Sequence, residues 1–261
     1  MEARARSFGT IAEDYERWRP GPPAASLEWL LPPDTHRVVD LGAGTGALTR
    51  LLVDTVDDVV AVEPDPRMRE VLTRQVPDAT VLEGRGEAVP VEAASVDAVL
   101  VSSAWHWMQV EPTVSEAARV LRDGGVLGVL WSGPDWSGDE TATLRNGVER
   151  DPAYARLFRL LGDQAVTDDN RKLVVPPGMP FGAPDHSVIT WNVSMSADQL
   201  AGIVGTMSSV ILLGSEQRRE VLDDTRRLLH DQLGLAGDAT TDLAFRADCW
   251  RARRAARSAD A

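Results

Sequence analysis

Short, largely apolar runs recur along the first half of the chain at intervals of about twenty residues, at 38–41, 59–62, 79–82 and 98–101. Brief β-branched runs without regular polar alternation are the pattern of strands buried on both faces of a parallel sheet. Between them lie helix-compatible stretches at 48–54 and 67–75. A third, at 112–121, leads through a Gly124-Gly125 turn into a fifth run at 126–131. Strand alternating with helix predicts an α/β fold with a doubly wound sheet. The rhythm breaks from 134 to 184, where Pro176-Pro177-Gly178 and Pro180 forbid a continuous helix and 146–161 is the most helical part. This stretch reads as an insertion capping a pocket. The remainder predicts a strand at 187–193, helices at 197–213 and 216–233, and a seventh strand at 243–250. Residues 1–261 are thus expected to form a single domain with 134–184 as its cap.

Composition narrows the function. A hydrophobic share of 43% with 26% charged residues is ordinary for a globular protein. No apolar run approaches the roughly 18 residues that a membrane span needs. Met1 to Arg6 lead into Ser7-Phe8-Gly9-Thr10 rather than an apolar signal core, so a cytoplasmic location is expected, with no membrane association. Cys249 is the single cysteine and only four histidines are present, so neither an intrachain disulfide nor a structural zinc is expected, and catalysis is expected to need no metal. A net charge of -13 repels polyanions, which makes DNA and RNA poor partners. A monomer or homodimer is expected. The arginines at 251, 253, 254 and 257 read as a solvated, partly frayed end rather than a binding tail.

The chemistry starts at Asp40-Leu41-Gly42-Ala43-Gly44-Thr45-Gly46, directly after the first strand. Glycines there permit positive φ and let a ligand approach the backbone. The nicotinamide fingerprint is G-x-G-x-x-G; here the third glycine comes one residue early, and a carboxylate at Asp40 would repel a pyrophosphate. The sole lysine, Lys172, lies in the irregular insertion and makes a poor proton-transfer partner for an oxidoreductase. S-adenosylmethionine (SAM) carries an ammonium and a sulfonium and no phosphate, so an acid beside the loop favours it. Glu63, ending the second strand before Pro64, is placed for a carboxylate that accepts the ribose hydroxyls, a role common to nucleotide and SAM folds.

These residues resemble the class I SAM-dependent methyltransferases, in particular the small-molecule branch of methyltransferase type 11 and trans-aconitate methyltransferase-like enzymes. The resemblance rests on the loop after Val38-Val39 and on Val60-Ala61-Val62-Glu63-Pro64-Asp65. It continues through Gly84-Arg85-Gly86-Glu87-Ala88-Val89-Pro90 and the stretch from Val96 to Trp107, and covers roughly residues 8 to 131. It implies a Rossmann-like, mostly parallel seven-stranded sheet with an N-terminal helix, and SAM as cofactor with S-adenosylhomocysteine as product. By resemblance, Gly42 and Gly44 lie beneath the methionine part, Glu63 and Pro64 at the ribose, Gly86 and Glu87 beside the adenine, and Ser102 and Ser103 at the sulfur end. Arg85 stands where many relatives carry an acid. Phe8 to Pro20 is similar to the family's N-terminal helix, which makes Tyr15 and Arg19 cofactor contacts; packing of Phe8, Ile11, Tyr15 and Trp18 on a core is the alternative. The segment Thr206-Met207-Ser208-Ser209-Val210 is similar to a C-terminal segment of the same branch.

His106 follows the fourth strand, on the edge where open α/β sheets bind ligands, and its ordinary pKa suits accepting a proton from a hydroxyl or carboxylic acid. It is the candidate base, and its presence slightly favours an oxygen acceptor. The alternative is that it orients substrate or packs between Trp105 and Trp107, since methyl transfer from a sulfonium can run on alignment alone. Trp131, Trp136, Trp191, His186 and Met207 are expected to pack in the core. A different outcome from an enzyme is a methyltransferase-like fold that binds SAM, or nothing, and serves as a regulatory or scaffolding subunit.

Overall fold

The computed structural model describes residues 8–135 and 172–256. A 3-10 turn, Phe8–Ile11, opens the chain, followed by helices α1 (Ala12–Trp18) and α2 (Ala25–Leu30). Then come β1 (Arg37–Leu41), α3 (Ala47–Val53), β2 (Asp58–Val62), α4 (Pro66–Gln75), β3 (Thr80–Leu82) and β4 (Val96–Ser102). A second 3-10 turn, Trp105–Trp107, precedes α5 (Val110–Val120) and β5 (Leu121–Pro134). The rest comprises β6 (Asp185–Ser196), α6 (Ala197–Gly205), α7 (Ser208–Ile211), α8 (Ser215–Leu233) and β7 (Thr240–Arg253). The expected helix at 146–161 and Trp136 lie outside the described residues.

The strands form one seven-stranded sheet in the order β3-β2-β1-β4-β5-β7-β6. β1 pairs in parallel with β2 and β4, β2 with β3, and β4 with β5. After β3 the chain returns to the far side of β1, so strand order reverses between β1 and β4. The carboxyl ends of those two strands are therefore the topological switch point, where such sheets bind ligands.

The described chain divides into two compact units: residues 21–132, 172–189 and 247–256, and residues 8–20, 133–135 and 190–246. In the first, alternate residues of the strands point to opposite faces. Val39, Leu41, Val60, Val62, Val99, Val101, Leu127 and Val129 join Val114, Ala117 and Val120 of α5 in one core. Ala43 and Ala61 meet Leu72 and Val76 on another. α4 starts where Pro66 fits the first helical turn and the Asp65 side chain accepts from Arg67 N at 2.9 Å.

The C-terminal arginines are not a frayed end up to the last described residues. Arg251 stacks on the Trp29 ring at 4.4 Å and donates to the Trp29 carbonyl, and Arg254, 5% exposed, pairs with Asp123. Gly124 N donates to Arg254 O and Arg254 N to Gly125 O, so backbone pairing fixes the end of β7. Arg257 lies outside the described residues.

In the second unit, Met195, Leu200, Ile203, Leu229, Leu235, Leu243 and Phe245 form a core, with Trp191 tilted against Phe245. Val204, Met207, Val210, Val221 and Leu228 form another. The single helix expected over 197–213 is two helices, because Thr206, fully buried, donates its hydroxyl to Ile203 O at 2.7 Å and closes α6. Ser196 caps α6, its hydroxyl accepting from Gln199 N while Gln199 Oε1 accepts from Ser196 N.

Candidate functional site

The loop after β1 runs at the switch point with Gly42, Gly44 and Gly46 at φ of 71°, 60° and 99°. Gly42 N and Ala43 N both donate to Val62 O, at 2.8 and 3.1 Å, which folds the loop over the end of β2. A Cβ on Gly42 would fall 2.7 Å from Ala104 Cβ and 3.1 Å from Met108 Cε, whereas around Gly44 a Cβ would meet nothing within 4 Å. The loop therefore packs on the segment after β4 at its first glycine and bares its backbone at the second.

Glu63 closes this loop from the side. Its Oε2 accepts from Gly44 N and its Oε1 from Asp65 N, each at 2.9 Å, and the residue is only 8% exposed. Burial raises its pKa, opposed by those two N–H groups and by Arg69. Pro64 is exposed, and its carbonyl accepts from Arg69. Beneath the loop, Asp40 is fully buried; its Oδ2 accepts from the Thr49 hydroxyl at 2.6 Å and its Oδ1 has no hydrogen-bond partner. Burial pushes its carboxyl up to about 7, with the Thr49 bond opposing and Glu63 adding to the rise.

On the other flank, Gly86 is buried against α5, where a Cβ would come within 2.7 Å of Thr113 Oγ1 and 2.9 Å of Met108 Sδ. Glu87 Oε1 accepts from Gln109 N at 2.9 Å and so caps α5. Arg85 is exposed, and its backbone bridges to Ala88. Ser102 ends β4, and Ser103, at φ 54°, donates its N–H to Leu130 O. His106 is half-buried, its ring tilted against Trp107 at 4.5 Å, while Trp105 belongs to the main core. One unit thus brings together Asp40, Gly42, Gly44, Glu63, Pro64, Gly86, Glu87, Ser102, Ser103 and His106.

Tyr15 and Arg19 belong to the other unit. There the Arg19 guanidinium lies over the Tyr15 ring at 5.4 Å and Nε donates to Thr206 Oγ1 at 2.8 Å, while Phe8 packs edge-on against Tyr15. Of the residues expected in the core, Trp131, Trp191 and Met207 are in clusters, whereas His186 is exposed and stacks on Trp250 at 4.1 Å instead of entering the core. Sequence reasoning missed Met108, whose thioether spans the gap between Gly42 and Gly86, and Thr49, the partner of Asp40. A helical residue nine positions after an acid gives no sign of that bond in sequence. No helix among the described residues is long and apolar enough to cross a membrane, and among them no group of acids, histidines or cysteines is placed to hold a metal.

A reversed strand order with a bare glycine loop and a buried acid at the switch point defines a Rossmann-type cofactor site, and comparison with known proteins says which. A family model described as a methyltransferase domain matches residues 39–129. An uncharacterised methyltransferase of Mycobacterium tuberculosis is 37% identical over 246 residues, 94% of this chain and 95% of that protein. A methyltransferase-like protein of Schizosaccharomyces pombe is 28% identical over 221 residues, 83% of each. A solved structure named as a type II methyltransferase, from Anaeromyxobacter dehalogenans, shares the fold at a TM-score of 0.62 and 24% identity, over 90% of this chain and 97% of that one. The chain belongs to the class I SAM-dependent methyltransferases. Family and fold together imply SAM as the methyl donor.

Proposed function

We propose that this enzyme methylates a small-molecule acceptor, with oxygen slightly favoured as the atom modified, and releases S-adenosylhomocysteine. The observation that carries the reading is the Glu63 carboxylate at the end of β2, buried and held by Gly44 N and Asp65 N at 2.9 Å. Each of its oxygens keeps a lone pair for a ribose hydroxyl. The residues fit SAM: Gly44 has open space where a Cβ would stand, and Asp40 carries an unpartnered buried oxygen under the loop. When bound, SAM supplies an electrophilic methyl group on a sulfonium, with a neutral thioether as leaving group.

Around it the chain's own residues divide the work. Gly42 and Gly44 floor the methionine part, and the Asp40 charge favours a cation above it. Pro64 shapes the turn beyond Glu63, Gly86 and Glu87 flank the adenine, and Ser102 and Ser103 face the sulfur end. His106 takes the proton from the acceptor's hydroxyl or carboxylic acid as the new bond forms. The net charge of -13 argues against a nucleic-acid acceptor.

Calorimetric titration with SAM, S-adenosylhomocysteine and NADH tests the reading. Micromolar binding of both sulfur ligands without NADH is expected, followed by S-adenosylhomocysteine release in a screen of small hydroxylated and carboxylic acceptors. Binding without turnover in any acceptor class would favour a scaffolding role; binding of NADH alone would overturn the cofactor.

A further inference from the structure

Arg69 sits in the second turn of α4, six residues after Glu63, and its planar fork holds three acceptors at once. Nη1 donates to Glu63 O and to Pro64 O, both at 2.8 Å, and Nη2 donates to Glu83 Oε2 at 2.7 Å. Glu83 follows β3 and stands directly before Gly84-Arg85-Gly86-Glu87. The same corner is pinned by Glu63 N donating to Leu82 O at 3.1 Å. The arginine side chain is only 18% exposed, whereas Glu83 is 75% exposed. A guanidinium in this position is therefore turned inward onto the backbone rather than spread on the surface, where an ion pair would contribute little.

We propose that Arg69 is a positioning residue for the adenosine half of the cofactor: it locks the turn that presents Glu63 and ties that turn to the strand leading into the adenine-flanking segment. The proposal rests on the reading of Glu63 as the ribose acceptor. A carboxylate that accepts two hydroxyls needs its backbone fixed to a fraction of an ångström, and the turn at Glu63-Pro64 has only loop on its far side until Pro66 starts the helix. Arg69 reaches back from the helix to both carbonyls of that turn. It also acts on charge. The groups around Glu63 are Asp40 below, Asp65 beside it with Arg67 paired to that acid, and Arg69 with Glu83. Arg69 is the cation among them that opposes the rise which burial imposes on Glu63.

The test compares S-adenosylhomocysteine with its analogue lacking the ribose 2′-hydroxyl, titrated calorimetrically into the full chain. The native protein should prefer the hydroxylated ligand by about tenfold or more, because a missing hydroxyl leaves a buried carboxylate short of a partner. Arg69→Met should shrink that preference to about threefold or less and move the pH at which binding is lost upward, while the melting temperature stays close to the native one. Arg69→Lys keeps the positive charge but not the fork; it should restore the native pH dependence without restoring the preference, and it serves in place of the methionine variant if that one does not fold. A native preference in Arg69→Lys, or in a folded Arg69→Met, overturns the positioning role alone. A native protein indifferent to the 2′-hydroxyl removes Glu63 from the ribose, and the role of Arg69 with it.

Discussion

Asp40 sits in the second-to-last position of β1, fully buried, with its carboxyl pushed up from 3.8 to about 7 chiefly by burial. A folded chain that binds this proton more tightly than the unfolded one gains most from Asp40 below about pH 4, and the gain is lost as pH rises toward about 7. Asp40→Asn should therefore gain on the native protein in chemical denaturation from about pH 5 to about pH 7.5; a gap that stays flat means Asp40 does not titrate there. The same ionisation places a negative charge beneath the methionine subsite, so native affinity for cationic SAM should rise over that window and that of Asp40→Asn should not. Glu63→Ala should weaken SAM binding by about 1.4 kcal/mol or more, tenfold, as loss of a buried charged hydrogen-bond partner does; unchanged affinity in the folded variant removes Glu63 from the site. Glu63 was legible in the sequence because the end of the strand that follows a glycine loop lies beside the switch point, where a carboxylate can accept ribose hydroxyls. Thr49 and Arg69 were not, because their reach depends on which helix face the tertiary packing turns toward the loop, and neither was Met108, whose reach depends on the extended turn between Trp107 and α5.

Helices carry the second level of constraint, and α6 is the clearest case. Its capping box at Ser196 and the close approach of Trp18 at Gly202 are independent demands. A Cβ on Gly202 would fall 2.3 Å from the Trp18 ring, so Gly202→Ala should cost about 1–3 kcal/mol in denaturant unfolding by forcing α1 outward. Ser196→Ala should cost about 1 kcal/mol through the lost cap. If Gly202→Ala is neutral, α1 is not held against α6 in solution. The central strands were readable because burial on both faces leaves continuous apolar runs. The helix at Ala25–Leu30 was not: six residues after Pro22-Pro23 are too few to show a period of 3.6. The strand at the C-terminus was read short because Arg251 and Arg254 look solvated in sequence, and only a carbonyl and an aromatic ring on α2 and an acid at the start of β5 turn them inward.

At the scale of the whole molecule, the site residues from Asp40 to His106 all lie in one of the two compact units, and ligand binding acts as a stability term for that unit. A ligand at a hundred times its dissociation constant stabilises the state that binds it by about 2.7 kcal/mol. For 150–250 residues, about 1 kcal/mol moves a melting temperature by roughly 2–4 °C. Saturating S-adenosylhomocysteine should then raise the transition of the sheet-bearing unit by roughly 5–10 °C in differential scanning calorimetry. NADH at the same concentration should leave it in place, since Asp40 and the short glycine spacing oppose a pyrophosphate. The melting curve also shows how far the stabilisation spreads. If the two units unfold in separate transitions, only the one carrying the glycine loop should move; if they unfold together, the single transition moves by less per kcal/mol, because the same free energy is spread over a larger unfolding entropy. A shift with NADH equal to that with S-adenosylhomocysteine would mean that the loop holds a dinucleotide and that Asp40 does not repel its pyrophosphate.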